Sequence, residues 1–422
     1  MIPPRWAHRL RALALLGAAP LASCNVEPPA DSTGGTDLPA GTCGRGVVVV
    51  NTDYQSTNVS LVSWEGDVLS SSFLSSASGA TGLSSPLGGD VTLPSQRQED
   101  EIVLIDRYPA SVLTWVDVSS GSPSGQLSVA TGYPANPHDF AIVGPNKAYV
   151  TRYEANADPG REPFDQGDDV LIIDPAARTI AGRIDLAPAM RDAGEGFHAH
   201  PDKLLLAGDR VFVLLGAYAP DYLSSAPSRL VTLDTATDAI TDVVILEGMH
   251  GCTAMALAPS GHELAVACSG EFAGDSVSTL AESGLVLVST NGSLSEHRRF
   301  PAAKFEQGPL ASAIAYTSDT RLLFTTAGQF AAGQQPERQD SLLILETETG
   351  SHELVLQSQD EPFSLGDVRC APACHACYLA DAARSGGVLH RLSLHEDGTL
   401  GPRTEVVVDR DVGLPPRNLG WF

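Results

Sequence analysis

The sequence predicts an all-β fold, with seven four-stranded units set in a ring that the last strand of the chain closes. Three observations predict it. From Gly46 onward, short β-branched or apolar runs alternate with turn clusters, and no amphipathic helix of ten or more residues occurs. The end of each unit's third strand recurs at Ser63, Asp117, Asp174, Asp234, Ser289, Glu346 and His395, spaced 54, 57, 60, 55, 57 and 49 residues apart. The two ends of the chain also complement each other. The first unit offers three strands, and RNLGWF at 417–422 reads as a lone first strand.

Unit one supplies VVVVNTDY, NVSLVSW and VLSSSFL, and unit two runs from EIVLIDRYP to LSVATG. The third is the clearest: HDFAIVGPN (138–146), KAYVTRY (147–153), DVLIIDPAART (169–179) and IAGRIDLA (180–187). The same order recurs over 203–246, 253–300 and 312–358, and DVRCAPA to TEVVVD forms the seventh. Closing the ring removes the open edges that a linear stack would expose. Two β-sandwiches are the competing architecture, but sandwiches give no reason for a repeat of ~55 residues. Residues 46–422 are therefore expected to form one seven-bladed β-propeller.

The stretch Pro137-His138-Asp139-Phe140-Ala141-Ile142 through Ala148-Tyr149-Val150-Thr151 resembles the YVTN-type propeller repeat, P-H-G-x-A-x-S-P-D-G-x-x-x-Y-V-T-N. Asp139 replaces its glycine and Arg152 its final asparagine, and the other units keep only the apolar pattern. The resemblance implies the fold. It implies no activity, since propellers host many unrelated functions.

Ahead of the ring, Met1 to Ser23 contains Arg5, Arg9 and Arg11, no acid, and an apolar run from Ala12 to Ala22, the pattern of a signal peptide. That run is about half the ~20 residues needed to span a bilayer. Leu21-Ala22-Ser23-Cys24 resembles the bacterial lipobox, which implies acylation of Cys24 and a chain held by lipid. Residues 24–45, rich in Pro, Gly, Asp and Ser, read as a flexible tether. Asn25 after the lipidated cysteine points to the outer membrane, on its periplasmic or surface side. Loss of the three arginines takes the net charge from −25 to −28. Such a surface excludes nucleic acid as a partner and is repelled by anionic headgroups, leaving the lipid to hold the membrane.

Six further cysteines in an exported chain favour disulfides. Cys252 and Cys268 lie symmetrically about the turn near Ser260, and Cys370 and Cys377 about the turn at Ala373. Cys43 faces Cys374 across the closing seam, with Cys374–Cys377 as the competing pairing. Cys370, Cys374, His375 and Cys377 also admit a metal-cluster reading, which an oxidising compartment disfavours.

For chemistry, the chain lacks a G-x-S-x-G elbow, a zincin motif and a P-loop. The best constellation is His138, His198, His200 and His250 with Asp139 and Asp202, expected where the first strands of three consecutive blades begin, at one mouth of the central channel. Imidazoles converging there would hold a transition metal or act as general bases; otherwise each serves its own strand. Long loops at 154–169, 219–227, 271–283 and 329–340 share that face, and Asp158, Asp165, Asp168 and Asp169 in the first offer oxygen ligands for Ca²⁺. The expected function is a binding or scaffold module using the long-loop face for a protein or small-molecule ligand, without cofactor or catalysis. The alternative is an enzyme of lactonase-like or quinoprotein-like type working at the histidine-lined mouth.

Overall fold

The computed structural model describes residues 34–422 except 79–82, 272–277, 331–335, 360, 384–386 and 410–411. The expected signal peptide and Cys24 lie outside the described residues. Blades two to seven each use four consecutive long-range strands of the chain. From inside outward, blade three is Pro137–Gly144, Lys147–Ala155, Gly167–Asp174 and Thr179–Asp185, and blade four is Pro201–Ala207, Arg210–Leu215, Arg229–Asp234 and Ala239–Ile245. Blade five begins at Cys252–Leu257, blade six at Leu310–Ser318 and blade seven at Leu365–Ala371. In blade six a small hairpin, Gln329–Phe330 with Pro336–Arg338, interrupts the order between second and third strands. Blade two's innermost strand is only Val91–Thr92, too short to stand out in the sequence.

Blade one is completed as expected. Pro416–Trp421 pairs antiparallel with Gly46–Thr52, with Val47 opposite Trp421 and Val49 opposite Leu419. Seven separate apolar clusters fill the structure, one at each junction between adjacent blades. Middle strands such as Gly46–Thr52 are therefore buried on both faces and read as continuous apolar runs, whereas the outermost His352–Gln357 is mostly solvated.

Strands alternate in direction, so the start of each innermost strand and the loop between second and third strands share one face, the long-loop face. A polar residue there ties each of blades one to six to the next. Ser111, Asp168, Ser228, Ser283 and Asp340 each stand six residues before the third-strand mark. The Ser111 hydroxyl accepts the Ala135 N–H, Asp168 accepts those of Ala199 and His200, Ser228 that of Cys252, and Ser283 that of Leu310. Asp340 accepts the N–H groups of Phe363, Ser364 and Leu365, and of Gly328 in its own blade. In blade one, Thr57 occupies the place and donates to the Gly88 carbonyl. Blade seven has Val388 there, its third strand ending at Leu394, one residue before the expected mark at His395.

The junction of blades seven and one instead carries the Cys43–Cys374 disulfide, which joins residues 331 apart in sequence. Cys252–Cys268 and Cys370–Cys377 bridge directly opposed positions on first and second strands of blades five and seven. With these thiols consumed, the cluster of Cys370, Cys374, His375 and Cys377 has no metal-binding sulfur left. The tether expected over 24–45 requires correction: from Gly34 onward it lies on the ring. Gly34 donates to the Ser72 carbonyl, Thr36 to that of Val118, and Arg45 reaches back to Leu38.

Candidate functional site

At the long-loop face, blades three to five bring the expected histidines near one another, but aromatic rings and carboxylates stand between them. His138 sits in the innermost strand of blade three, and its Nδ1 lies 3.1 Å from Asp202 in that of blade four. Burial holds the His138 imidazole below the usual histidine range, against the pull of Asp202. Burial would by itself raise the Asp202 carboxyl; His138, Lys203 and Arg107 outweigh it and hold the group low. An ionised carboxylate only accepts hydrogen bonds, so in this pair His138 Nδ1 is the donor and Asp202 the acceptor.

Tyr153, on the second strand of blade three, organises the rest. Its ring stacks on His138 at 4.1 Å with the planes 7° apart, and Tyr222 lies parallel to it at 6.3 Å. His200 tilts against Tyr153 at 4.7 Å, Tyr222 at 5.1 Å and Tyr218 at 6.0 Å. The Tyr222 hydroxyl donates to Glu154. Burial pushes the Tyr218 phenol up to about 12 and raises Tyr153 and Tyr222 as well, so all three stay protonated.

His200 is 2% exposed; its Nδ1 meets the Tyr153 carbonyl at 2.9 Å, and its Nε2 has no partner among the described residues. Burial lowers its pKa. His198 lies 3.6 Å from Asp168, an interaction that raises its pKa. His250 stands apart from this stack, with its Nδ1 2.8 Å from the Ser225 hydroxyl and 3.6 Å from Glu271.

Two expectations change. Asp139 does not face the mouth: it is fully buried and accepts backbone N–H groups from Ser95 and Leu204, fastening blades two, three and four. Burial raises its pKa even so. Nor do the four imidazoles converge on one point, because Tyr153 separates His138 from His200 and His250 turns toward Ser225. Among the described residues, no three His, Cys, Asp or Glu side chains are arranged to hold a metal ion.

The acids of the first long loop are likewise engaged. Asp165 accepts from Gly160, Arg161 and Glu162, Asp168 holds the next blade, Asp169 pairs with the fully buried Arg152, and Asp158 meets Arg161. Tyr153, Tyr218 and Tyr222 were missed in the sequence because they sit off the repeating positions. Their recurrence at strand ends and loops on one face is the signal that would have found them.

No protein-family model matches the chain, and no curated protein does. Among solved structures, a hypothetical selenium-binding protein from Sulfolobus tokodaii is similar, with a TM-score of 0.57 at 9% identity over 88% of this chain and 92% of that one. A candidate 6-phosphogluconolactonase from Bacteroides uniformis gives 0.52 at 14% identity, covering 88% and 98%. The periplasmic gluconolactonase of Pseudomonas aeruginosa gives 0.50 at 11% identity, covering 88% and 97%. At these identities the likeness is one of fold alone.

Proposed function

We propose that this protein is a lipid-anchored binding propeller of the bacterial cell envelope, which docks a partner protein on its long-loop face and performs no chemistry of its own. The observation that carries the reading is the one-sidedness of its exposed apolar surface. Among the described residues, nine large hydrophobic side chains are exposed. Seven of them lie on the long-loop face: Tyr54 and Tyr108 in blades one and two, Tyr222 and Leu223 in blade four, and Phe363, Val407 and Val412 around blade seven. The other two are Ile142, near the far end of its strand, and Leu354, on the outer edge of blade six. Single exposed apolar groups are ordinary, but a concentration on one face marks an interaction surface. The pairing of His138 with Asp202 and of His250 with Ser225 and Glu271 supports the same reading, since these groups are engaged within the fold.

A photo-crosslinking residue placed in turn at Leu223, Tyr54 and Phe363, and at Ser260 and Thr349 on the opposite face, tests it in intact cells. A discrete protein adduct from the first three positions alone is expected. Adducts spread evenly over both faces, or formed only with copies of the chain itself, would overturn the reading. For the anchor, Cys24→Ala is expected to move the protein into the soluble fraction.

One observation favours a second reading: in the His138–Asp202 pair a carboxylate holds Nδ1 of a buried imidazole, an arrangement found in the general-base half of a hydrolytic site. The similar structures include proteins named for gluconolactone chemistry, so δ-gluconolactone is the compound to try. Turnover abolished by His138→Gln would favour an enzyme over the binding module.

A further inference from the structure

The opposite end of the ring holds a cavity of a different character. It measures about 360 Å³ and is walled by the later residues of the innermost strands of blades four to seven and one, including Leu205, Met255, Leu257, Ile314, Val368 and Trp421. With Ser95 of blade two also in the lining, walls drawn from six blades place it on the ring axis, away from the long-loop face. Its volume is at the small end of the range for sites that take small organic molecules.

Among the described residues, Arg369 is the single charged side chain in that wall. Its guanidinium is only partly answered within the fold. One nitrogen donates to the Val368 carbonyl, another lies 3.6 Å from Asp367, and Nε has no acceptor among the described residues. Trp421 Nε1, in the same wall, also lacks one. Buried donors without acceptors are costly, and an oxyanion entering an apolar site beside a guanidinium gains a charge-assisted bond that water does not screen. In a chain of net charge −25, a cation as the only charge among the described residues lining an apolar axial cavity is a selective feature.

We propose that this cavity is a binding site for a small monocarboxylate with an apolar body, its carboxylate toward Arg369 and its body against Leu205, Met255, Leu257 and Ile314. The site is independent of the long-loop face, so it stands or falls separately from the docking reading.

Calorimetry on the purified mature protein with octanoate, 3-phenylpropanoate, octan-1-ol and octylamine tests it. One of the two carboxylates is expected to bind at least tenfold more tightly than the alcohol, with no measurable binding of the amine. Which carboxylate prevails separates a linear from an aromatic ligand. Arg369→Gln is expected to remove the preference for carboxylate over alcohol, and Ala256→Phe to abolish binding by filling the cavity. Equal binding of carboxylate and amine, or no binding of either carboxylate to folded wild-type protein, would overturn the proposal. The headgroup comparison is made on the wild-type chain, so it holds even where a variant does not fold.

Discussion

The Asp340 carboxylate accepts the backbone N–H of Ser364 at 2.7 Å across the junction of blades six and seven. It is the most heavily used member of a series that runs through Ser111, Asp168, Ser228 and Ser283, one per blade, each reaching the backbone that leads into the next blade. The ring is thus fastened by short polar side chains at one level as well as by the apolar clusters between blades.

Replacing Asp340 by alanine leaves four backbone N–H groups without their acceptor. A buried unsatisfied donor costs ~1–3 kcal/mol, and with partial relaxation the expected total is about 3–5 kcal/mol. Ser283→Ala, which orphans the Leu310 N–H and removes the donor to the Cys268 carbonyl, should cost less, ~1–2 kcal/mol. Urea unfolding gives the totals, and hydrogen exchange at residues 363–365 should accelerate in Asp340→Ala before the rest of the chain is affected.

The two disulfides that reach blade seven should differ in weight. Cys43–Cys374 spans 331 residues and Cys370–Cys377 spans 7. In the chain-entropy account, closing the longer loop is worth about 6 kcal/mol and the shorter one ~2.5 kcal/mol. Thermal unfolding of the Cys43→Ala/Cys374→Ala and Cys370→Ala/Cys377→Ala double variants checks the order, with the first expected to lose more.

Acid should loosen the junction of blades three and four. Burial lowers the pKa of both His138 and His200, so the unfolded chain binds their protons more readily. Their contribution is complete above the unfolded value of about 6.5 and is lost as pH falls through the folded values. His198, raised by Asp168, runs the other way, contributing below about 6.5 and fading as pH rises through its folded value. Unfolding free energies between pH 5 and 8 should show a loss on the acid side that is reduced in His138→Gln and His200→Gln.

Asp106 offers a stabilising substitution. Burial, partly offset by the Gly88 N–H, raises its carboxyl to about 6, so holding it ionised at pH 7 costs stability. Asp106→Asn keeps an acceptor for Gly88 without the charge. A gain of ~1 kcal/mol at pH 7 is expected, vanishing as pH falls toward the unfolded value of about 3.9. Paired melts at pH 7 and pH 4 measure it.

The architecture was legible because it is periodic. Seven marks at near-constant spacing and a lone RNLGWF are properties of the chain itself, and the pairing of Val47 with Trp421 follows from them. The polar fasteners were legible in principle at the same spacing, but Ser, Thr and Asp share that position and a search for one residue type passes over them. The mouth was legible only in outline. Periodicity places His138, His200 and Asp202 where blades begin, yet whether two imidazoles meet depends on what fills the gap, and Tyr153 and Tyr222 fill it. Asp139 looked like a site residue because a buried carboxylate that braces backbone and one that meets a ligand are the same letter in a sequence.

The Cys43–Cys374 bond also decides how the ring takes mechanical load. Tension applied to the chain ahead of Gly34 reaches Cys43 before it reaches Gly46–Thr52, and there it divides, part passing by a covalent path into blade seven. The strand pair that closes the ring is therefore shielded from being peeled open one hydrogen bond at a time. A molecule tugged from its N-terminus would hand the pull to two blades at once, at the junction where Val388 stands in the position that carries a polar residue in blades one to six.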